Sequence, residues 1–150
     1  MSQIISSSSR EINVIFPMEN AAKSIMLERL FGLVNRRLTK NQIQIRMIIK
    51  ENGASIDSRL LETFRFKYGH DGLYPRCQIE LRFVRNLQTQ MTTLIVDREK
   101  LLSIELKEGL ERCSHNSIGF AMYSDNTVII ASHLAVFETW WIRSQHSSSL

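Results

Sequence analysis

A β-hairpin is predicted by the stretch Gln90-Met91-Thr92-Thr93-Leu94-Ile95-Val96-Asp97-Arg98-Glu99-Lys100 and by the apolar run that follows it, residues 101–106. The first run is apolar or β-branched from Met91 to Val96, as is typical of a strand. The polar residues between the two runs are typical of a tight turn. We therefore expect two paired strands with their turn at residues 97–100.

Composition is that of an ordinary globular protein. The chain has 150 residues, of which 43% are hydrophobic and 23% are charged, so it is long enough to bury a core as one domain. No apolar run approaches the roughly 20 residues that a membrane helix needs, and no signal peptide is visible. The cysteines, Cys77 and Cys113, do not have the spacing of a metal or redox site. We expect a cytoplasmic protein whose segment here makes no membrane contact.

The charge distribution does not favour nucleic-acid binding. The formal net charge is +4, and lysine and arginine are spread along the chain without a block of like charges. Basic residues do not alternate with aromatic residues in the way that serves base stacking. A solvated surface explains the charge better, and we expect no nucleic-acid partner.

Serine-rich segments near both ends, residues 6–9 and 147–149, are typical of linkers. We therefore predict one domain at residues 11–145 between linkers at 1–10 and 146–150. Within it, strand-like and helix-like segments alternate, which favours an α/β fold with a mixed sheet of about six strands and helices on both faces. Besides the hairpin, the predicted strands are 12–16, 43–49, 77–83 and 127–131, and the predicted helices are 19–38, 56–68 and 132–145. Ser132 is the expected N-cap of the last helix, and residues 118–123 are either a short helix or an extended crossing.

Two of the predicted helices carry residues that suit a subunit interface. Leu27 and Phe31 widen the apolar face of the first helix beyond a simple stripe, so that face is covered on more than one side. Trp140 and Trp141 are about 100° apart on the last helix, so one can be buried in the monomer while the other contacts a partner. We expect a homodimer.

Three blocks of sequence resemble a known family. They are EINVIFPMEN at 11–20, LQTQMTTLIVDR at 87–98 leading into IELK at 104–107, and IGFAMYSDNTV at 118–128 closing with FETWW at 137–141. Together they resemble the phospholipase-D-like sensory domain of signal-transduction histidine kinases, particularly those of ammonia-oxidising archaea. The resemblance implies one phospholipase-D-like half-domain and, in a two-component system, a kinase output module in cis.

The resemblance also locates a catalytic motif, in which a His is followed two residues later by a Lys and five residues after that by an Asp. The matching positions here are Gln90, Thr92 and Asp97. Neither Gln nor Thr placed in this way supplies a nucleophile. The expectation is therefore that this chain is not an enzyme but a non-catalytic domain that senses a small ligand or relays a conformational signal.

Six residues are candidates for ligand contact. Gln90 and Thr92 line a pocket left by the missing His and Lys, or they are ordinary strand residues. Asp97 contacts a ligand or starts the turn. Glu105 faces Asp97 across the hairpin, where two carboxylates would hold a cation or a basic ligand, or it is a solvated strand residue. The last two candidates, in a turn at the end of a strand, are Ser124 and Asn126.

Two other functions remain open. A residual phosphodiesterase is one, because active relatives place two copies of the motif face to face and a dimer of half-domains can do the same. The effector domain of a transcriptional regulator is the other, although no helix-turn-helix is evident. No histidine is spaced with another metal ligand, so we expect neither a metal nor a cofactor.

Overall fold

The computed structural model describes residues 11–17, 43–51, 77–106 and 118–144. The helices predicted at 19–38 and 56–68 lie outside these ranges, and so do the candidate interface residues Leu27 and Phe31. What is described is a sheet of six strands and one long helix. The α/β class and the mixed six-stranded sheet expected from the sequence are confirmed.

The strands lie in the order β3-β2-β1-β4-β5-β6. Their bounds are β1 Glu11–Phe16, β2 Ile43–Lys50, β3 Cys77–Val84, β4 Met91–Val96, β5 Lys100–Leu106 and β6 Ile118–Ser124. The β1, β2 and β3 strands are parallel to one another, whereas β1–β4, β4–β5 and β5–β6 pair antiparallel. The predicted hairpin is therefore β4 and β5, joined by the turn at residues 97–99.

Burial explains the position of each strand. The sequence of β1 is apolar apart from Glu11 and Asn13, and it lies at the centre of the sheet, where both faces are covered. In contrast, β3 alternates apolar and polar residues and lies at an edge of the described sheet. The expectation that this strand suits an edge is confirmed.

The segment at 118–123, left open between a helix and an extended crossing, is a strand. It forms β6 and pairs antiparallel with β5, placing Tyr123 opposite Leu102 and Ala121 opposite Ile104. β6 has no neighbour on its other side in the described sheet, and its side chains Phe120 and Tyr123 are exposed.

The strand predicted at 127–131 is wrong, because these residues form the first turns of helix α1, Thr127–Arg143. The N-cap is Asn126, whose side-chain oxygen accepts hydrogen bonds from the backbone N–H groups of Val128 at 3.0 Å and Ile129 at 3.3 Å. The predicted N-cap, Ser132, lies inside the helix and donates its hydroxyl to the Val128 carbonyl at 3.0 Å. Capping therefore overrides the strand propensity of this β-branched run.

Helix α1 packs across one face of the sheet. Near its start, Ile130 contacts Ile95 and Leu101 of the hairpin. Two turns later, Phe137 and Trp141 pack in a second cluster with Ile15, Ile48 and Leu87. The helix thus crosses from the hairpin towards β1 and β2 and closes the core on this face.

Trp140 and Trp141 both pack against other residues of the same chain. Trp141 is buried and stacks on Phe137 with ring centroids 5.7 Å apart. Trp140 is partly buried against the same cluster, and the Arg143 guanidinium lies 5.6 Å from its ring centroid. A subunit contact for Trp140 or Trp141 stays a prediction. Among the described residues, no helix is long and apolar enough to cross a membrane.

Candidate functional site

The side chain that stands out at the start of the hairpin is Thr92. It lies on β4 opposite Ile104, is only 4% exposed, and its hydroxyl has no hydrogen-bond partner among the residues that the structure describes. A buried hydroxyl without a partner costs about 1–3 kcal/mol. Gln90 precedes β4 by one residue and is exposed. Because side chains alternate along an extended chain, Gln90 falls on the same side as Thr92.

The neighbouring threonine is in the opposite situation. Thr93 points to the other face of the sheet, the face that α1 covers. It is 6% exposed, and its hydroxyl lies 3.3 Å from the hydroxyl of Ser103 on β5. Two adjacent buried threonines therefore differ in one respect: Thr93 has a hydrogen-bond partner and Thr92 does not.

Asp97 ties the hairpin turn to the central strand. Asp97 and Arg98 both have positive φ, 53° and 59°, as the central residues of a type I′ turn do, and the Glu99 N–H donates to the Val96 carbonyl at 3.0 Å. The Asp97 carboxylate accepts a hydrogen bond from the Glu11 backbone N–H at 2.9 Å. Its own N–H donates to the Glu11 carbonyl at 2.9 Å. Asp97 therefore lies in the turn, but these two bonds run to Glu11 of β1 and not to its own backbone.

The expectation that Glu105 faces Asp97 across the hairpin is wrong. Glu105 pairs with Met91, at the opposite end of the hairpin from the turn. Met91 precedes Asp97 by six residues, so the two carboxylates are separated by about 20 Å of strand. They do not form a shared cation site.

Ser124 and Asn126 lie at the turn end of the sheet, because Ser124 pairs with Leu101, the second residue of β5. The Ser124 hydroxyl accepts a hydrogen bond from the Asn126 N–H at 3.1 Å, and the Asn126 side chain caps α1. The six candidate residues therefore form two groups at opposite ends of the hairpin. One group is Gln90, Thr92 and Glu105, and the other is Asp97, Ser124 and Asn126.

A partly buried ionic network, which the sequence analysis missed, lies between α1 and the sheet. The Arg46 side chain on β2 is 13% exposed and pairs with the Glu138 carboxylate of α1. Its Nε donates to the Asn13 side-chain oxygen at 2.9 Å, and its guanidinium lies 3.3 Å from the Glu11 carboxylate. The guanidinium carbon also lies 5.0 Å from the Phe137 ring centroid. Arg46 therefore joins β1, β2 and α1.

Glu11 links this network to the hairpin turn, because its second carboxylate oxygen lies 3.2 Å from the Arg98 side chain. Burial raises the pKa of the Glu11 carboxyl. Hydrogen bonds from Asn13 and Arg98, and the positive charges of Arg98 and Arg46, lower it by more, so the pKa lies below its usual value. The network holds Glu11 ionised.

One feature of the sequence pointed to this network. Asn13 and Arg46 are polar residues in the middle of largely apolar strands, and polar residues buried in such strands are paired in native structures. Periodicity alone does not identify the partner, because Glu138 is 92 residues away from Arg46.

The described residues contain no group of three or more His, Cys, Asp or Glu placed to hold a metal ion. No protein-family model matches the sequence, and no curated protein matches it.

Solved structures do match. NucT from Helicobacter pylori aligns with a TM-score of 0.57 at 14% identity, covering 92% of this chain and 82% of that chain. A phospholipase D family member, Nuc from Salmonella typhimurium, aligns with a TM-score of 0.57 at 15% identity, covering 99% of this chain and 87% of that chain. At this level of identity the likeness concerns the fold.

The expectation that this chain is not an enzyme is contradicted by these matches, because one of them is described as a member of a family named for an enzyme. The presence of Gln90 and Thr92 where the motif has His and Lys is therefore insufficient ground for excluding catalysis. The part of the resemblance that concerns the fold is confirmed: this chain has a phospholipase D-like fold.

Proposed function

We propose that this chain recognises a phosphodiester ligand at the start of β4 and relays its binding, as a sensory domain, to a histidine kinase module in cis. The observation that carries the proposal is the buried Thr92 hydroxyl without a partner. It occupies the position at which the motif of the resembling family has its Lys. The proposal of a kinase module rests on the sequence resemblance of residues 11–20, of 87–98 with 104–107, and of 118–128 with 137–141.

The chemistry at this position suits a phosphate group. The Thr92 hydroxyl and the Gln90 amide N–H groups are hydrogen-bond donors on one side of the chain. The non-esterified oxygens of a phosphodiester accept such bonds, and charged acceptors form stronger bonds than neutral ones. A ligand that accepts from Thr92 also removes the energetic penalty of its unpaired hydroxyl.

Hydrolysis of the same ligand is the second candidate, and the structural matches to a phospholipase D family member favour it. In this case Gln90 and Thr92 hold the phosphodiester while a water molecule attacks phosphorus. One phosphorus–oxygen ester bond breaks, and the alcohol leaves with a proton from the water.

Bis(4-nitrophenyl) phosphate serves as the probe for both candidates. Binding is measured as a rise in the midpoint of thermal unfolding, and hydrolysis as release of 4-nitrophenolate. We expect Thr92→Val and Gln90→Leu each to remove the thermal shift. The matched control is Gln78→Leu, since Gln78 is an exposed glutamine on the edge strand β3, and it should leave the shift unchanged.

Absence of both a thermal shift and hydrolysis in the unmodified chain would contradict the proposal. A shift that survives Thr92→Val would show that the ligand binds elsewhere. The relay is tested separately, by measuring autophosphorylation of the parent kinase with and without the same probe. A rate that does not respond to a bound probe would refute the relay and leave recognition standing.

A further inference from the structure

The outward face of α1 carries no charged residue from Val128 to Ile142. The residues opposite the sheet follow a spacing of four, three, four and three, and all are exposed: Val128, Ser132, Ala135, Thr139 and Ile142. Val128 is 72% exposed and Ile142 is 61% exposed. A surface helix normally presents charged residues on this face. Val128, Ala135 and Ile142 are apolar and spaced by seven residues, and apolar residues at heptad spacing are typical of a helix that packs against another helix.

We propose that a second copy of this chain covers this outward face of α1, with the two helices antiparallel about a two-fold axis at Ala135. The inference goes beyond ligand recognition and does not depend on it.

The face is self-complementary about Ala135, which lies seven residues from both Val128 and Ile142. In an antiparallel pair, Val128 therefore packs against the partner subunit's Ile142, and Ser132 lies next to the partner subunit's Thr139. The two Ala135 residues meet at the axis, where a small side chain lets the helix backbones approach closely. A two-fold interface requires this matching of one surface with itself.

Charge selects the antiparallel arrangement. Asp125 is exposed immediately before the N-cap, and Arg143 is exposed in the last turn. An antiparallel pair places each Arg143 beside the partner subunit's Asp125. A parallel pair would place the two Arg143 side chains near each other, which is unfavourable.

The size of the contact predicts a reversible dimer. Helix α1 has 17 residues, which corresponds to a length of about 25 Å. One helix pair of this length buries less than the roughly 800 Å² per partner of a typical stable complex. We therefore expect a dimer dissociation constant in the micromolar range, so that the dimer fraction depends on protein concentration.

Sedimentation equilibrium of the full chain over a concentration series tests the proposal. We expect a monomer–dimer equilibrium, weakened about tenfold or more by Ala135→Glu, which places two carboxylates at the axis. The matched control is Ala121→Glu, at an exposed alanine of the edge strand β6, and it should leave the equilibrium unchanged. Circular dichroism of each variant reports whether it folds.

A charge exchange gives an independent test. Arg143→Glu should weaken the dimer, and adding Asp125→Lys to it should restore association. A chain that stays monomeric at every concentration up to about 0.5 mM would overturn the proposal. So would a dimer that Ala121→Glu disrupts and Ala135→Glu does not, because the contact would then involve β6.

Discussion

Replacing Thr92 by valine should stabilise this protein, whereas the same change at Thr93 should destabilise it. Valine has nearly the shape of threonine and suits a strand equally well, so the change at each position removes one hydroxyl. Both side chains are almost fully buried, with 4% and 6% exposure. Only the Thr93 hydroxyl has a partner, the Ser103 hydroxyl at 3.3 Å.

The magnitudes follow from that difference. An unpaired buried hydroxyl carries a desolvation penalty of about 1–3 kcal/mol, so Thr92→Val should raise the free energy of unfolding by about 1 kcal/mol. Thr93→Val breaks a bond and leaves Ser103 unpaired, so it should lower the free energy of unfolding by about 1–2 kcal/mol. The two variants should therefore differ by roughly 2–3 kcal/mol although they differ by one position.

Urea unfolding, followed by the fluorescence of Trp140 and Trp141, measures both effects as changes in midpoint at constant slope. Both tryptophans lie on α1, so their signal reports the packing of the helix on the sheet. If Thr92→Val destabilises the protein as much as Thr93→Val does, the Thr92 hydroxyl has a hydrogen-bond partner in solution. The conclusion that this hydroxyl is unpaired is then refuted.

Three further changes test the network and the helix cap by urea unfolding. Arg46→Met leaves the Glu138 carboxylate without its arginine and should lower the free energy of unfolding by about 2–3 kcal/mol. This is less than the loss on breaking a fully buried ion pair, because the carboxylates are partly exposed. The control Arg85→Met removes an ion pair whose arginine is 80% exposed and should change stability by less than about 0.5 kcal/mol; equal losses would contradict the network. Asn126→Ala should lower the free energy of unfolding by about 1 kcal/mol, and Ser132→Ala should lower it much less. The reverse order would show that Asn126 is not the N-cap of α1. The pKa of Glu11 is lower in the folded state than its ordinary value of 4.5. The ionised Glu11 carboxylate therefore stabilises the fold above pH 4.5, and this stabilisation is lost as the pH falls through the pKa of the folded state. Glu11→Gln should therefore destabilise the protein at neutral pH and reduce its sensitivity to acid, and an unchanged acid dependence would show that Glu11 does not contribute.

Five of the six described strands were predictable because their signal is local, whereas the segment that forms β6 was left open between a helix and an extended crossing. The alternation in β3 and the run of β-branched and apolar residues in β4 depend only on neighbouring residues, and both strands form where the pattern placed them. Asp97 to Glu99 supply turn residues at the expected position for the same reason.

The start of α1 was not predictable from propensity. The run Thr127-Val128-Ile129-Ile130 has strand propensity, and strand and helix differ little in local energy for such residues. The cap at Asn126 and the burial of Ile130 against Ile95 and Leu101 decide the outcome. Packing contacts of this kind join segments far apart in the chain, so a local pattern does not contain them.

In the candidate site, too, local sequence patterns and contacts between distant segments determined different features. The sequence by itself determined the hairpin, the mixed sheet and the residues at the motif positions, because periodicity and turn chemistry are properties of short segments. Only the tertiary structure decided that Glu105 lies far from Asp97, that Thr92 is buried without a partner while Thr93 is paired, and that Arg46 meets Glu138. These facts depend on strand register and on the path of α1 across the sheet, which are set by contacts between distant segments.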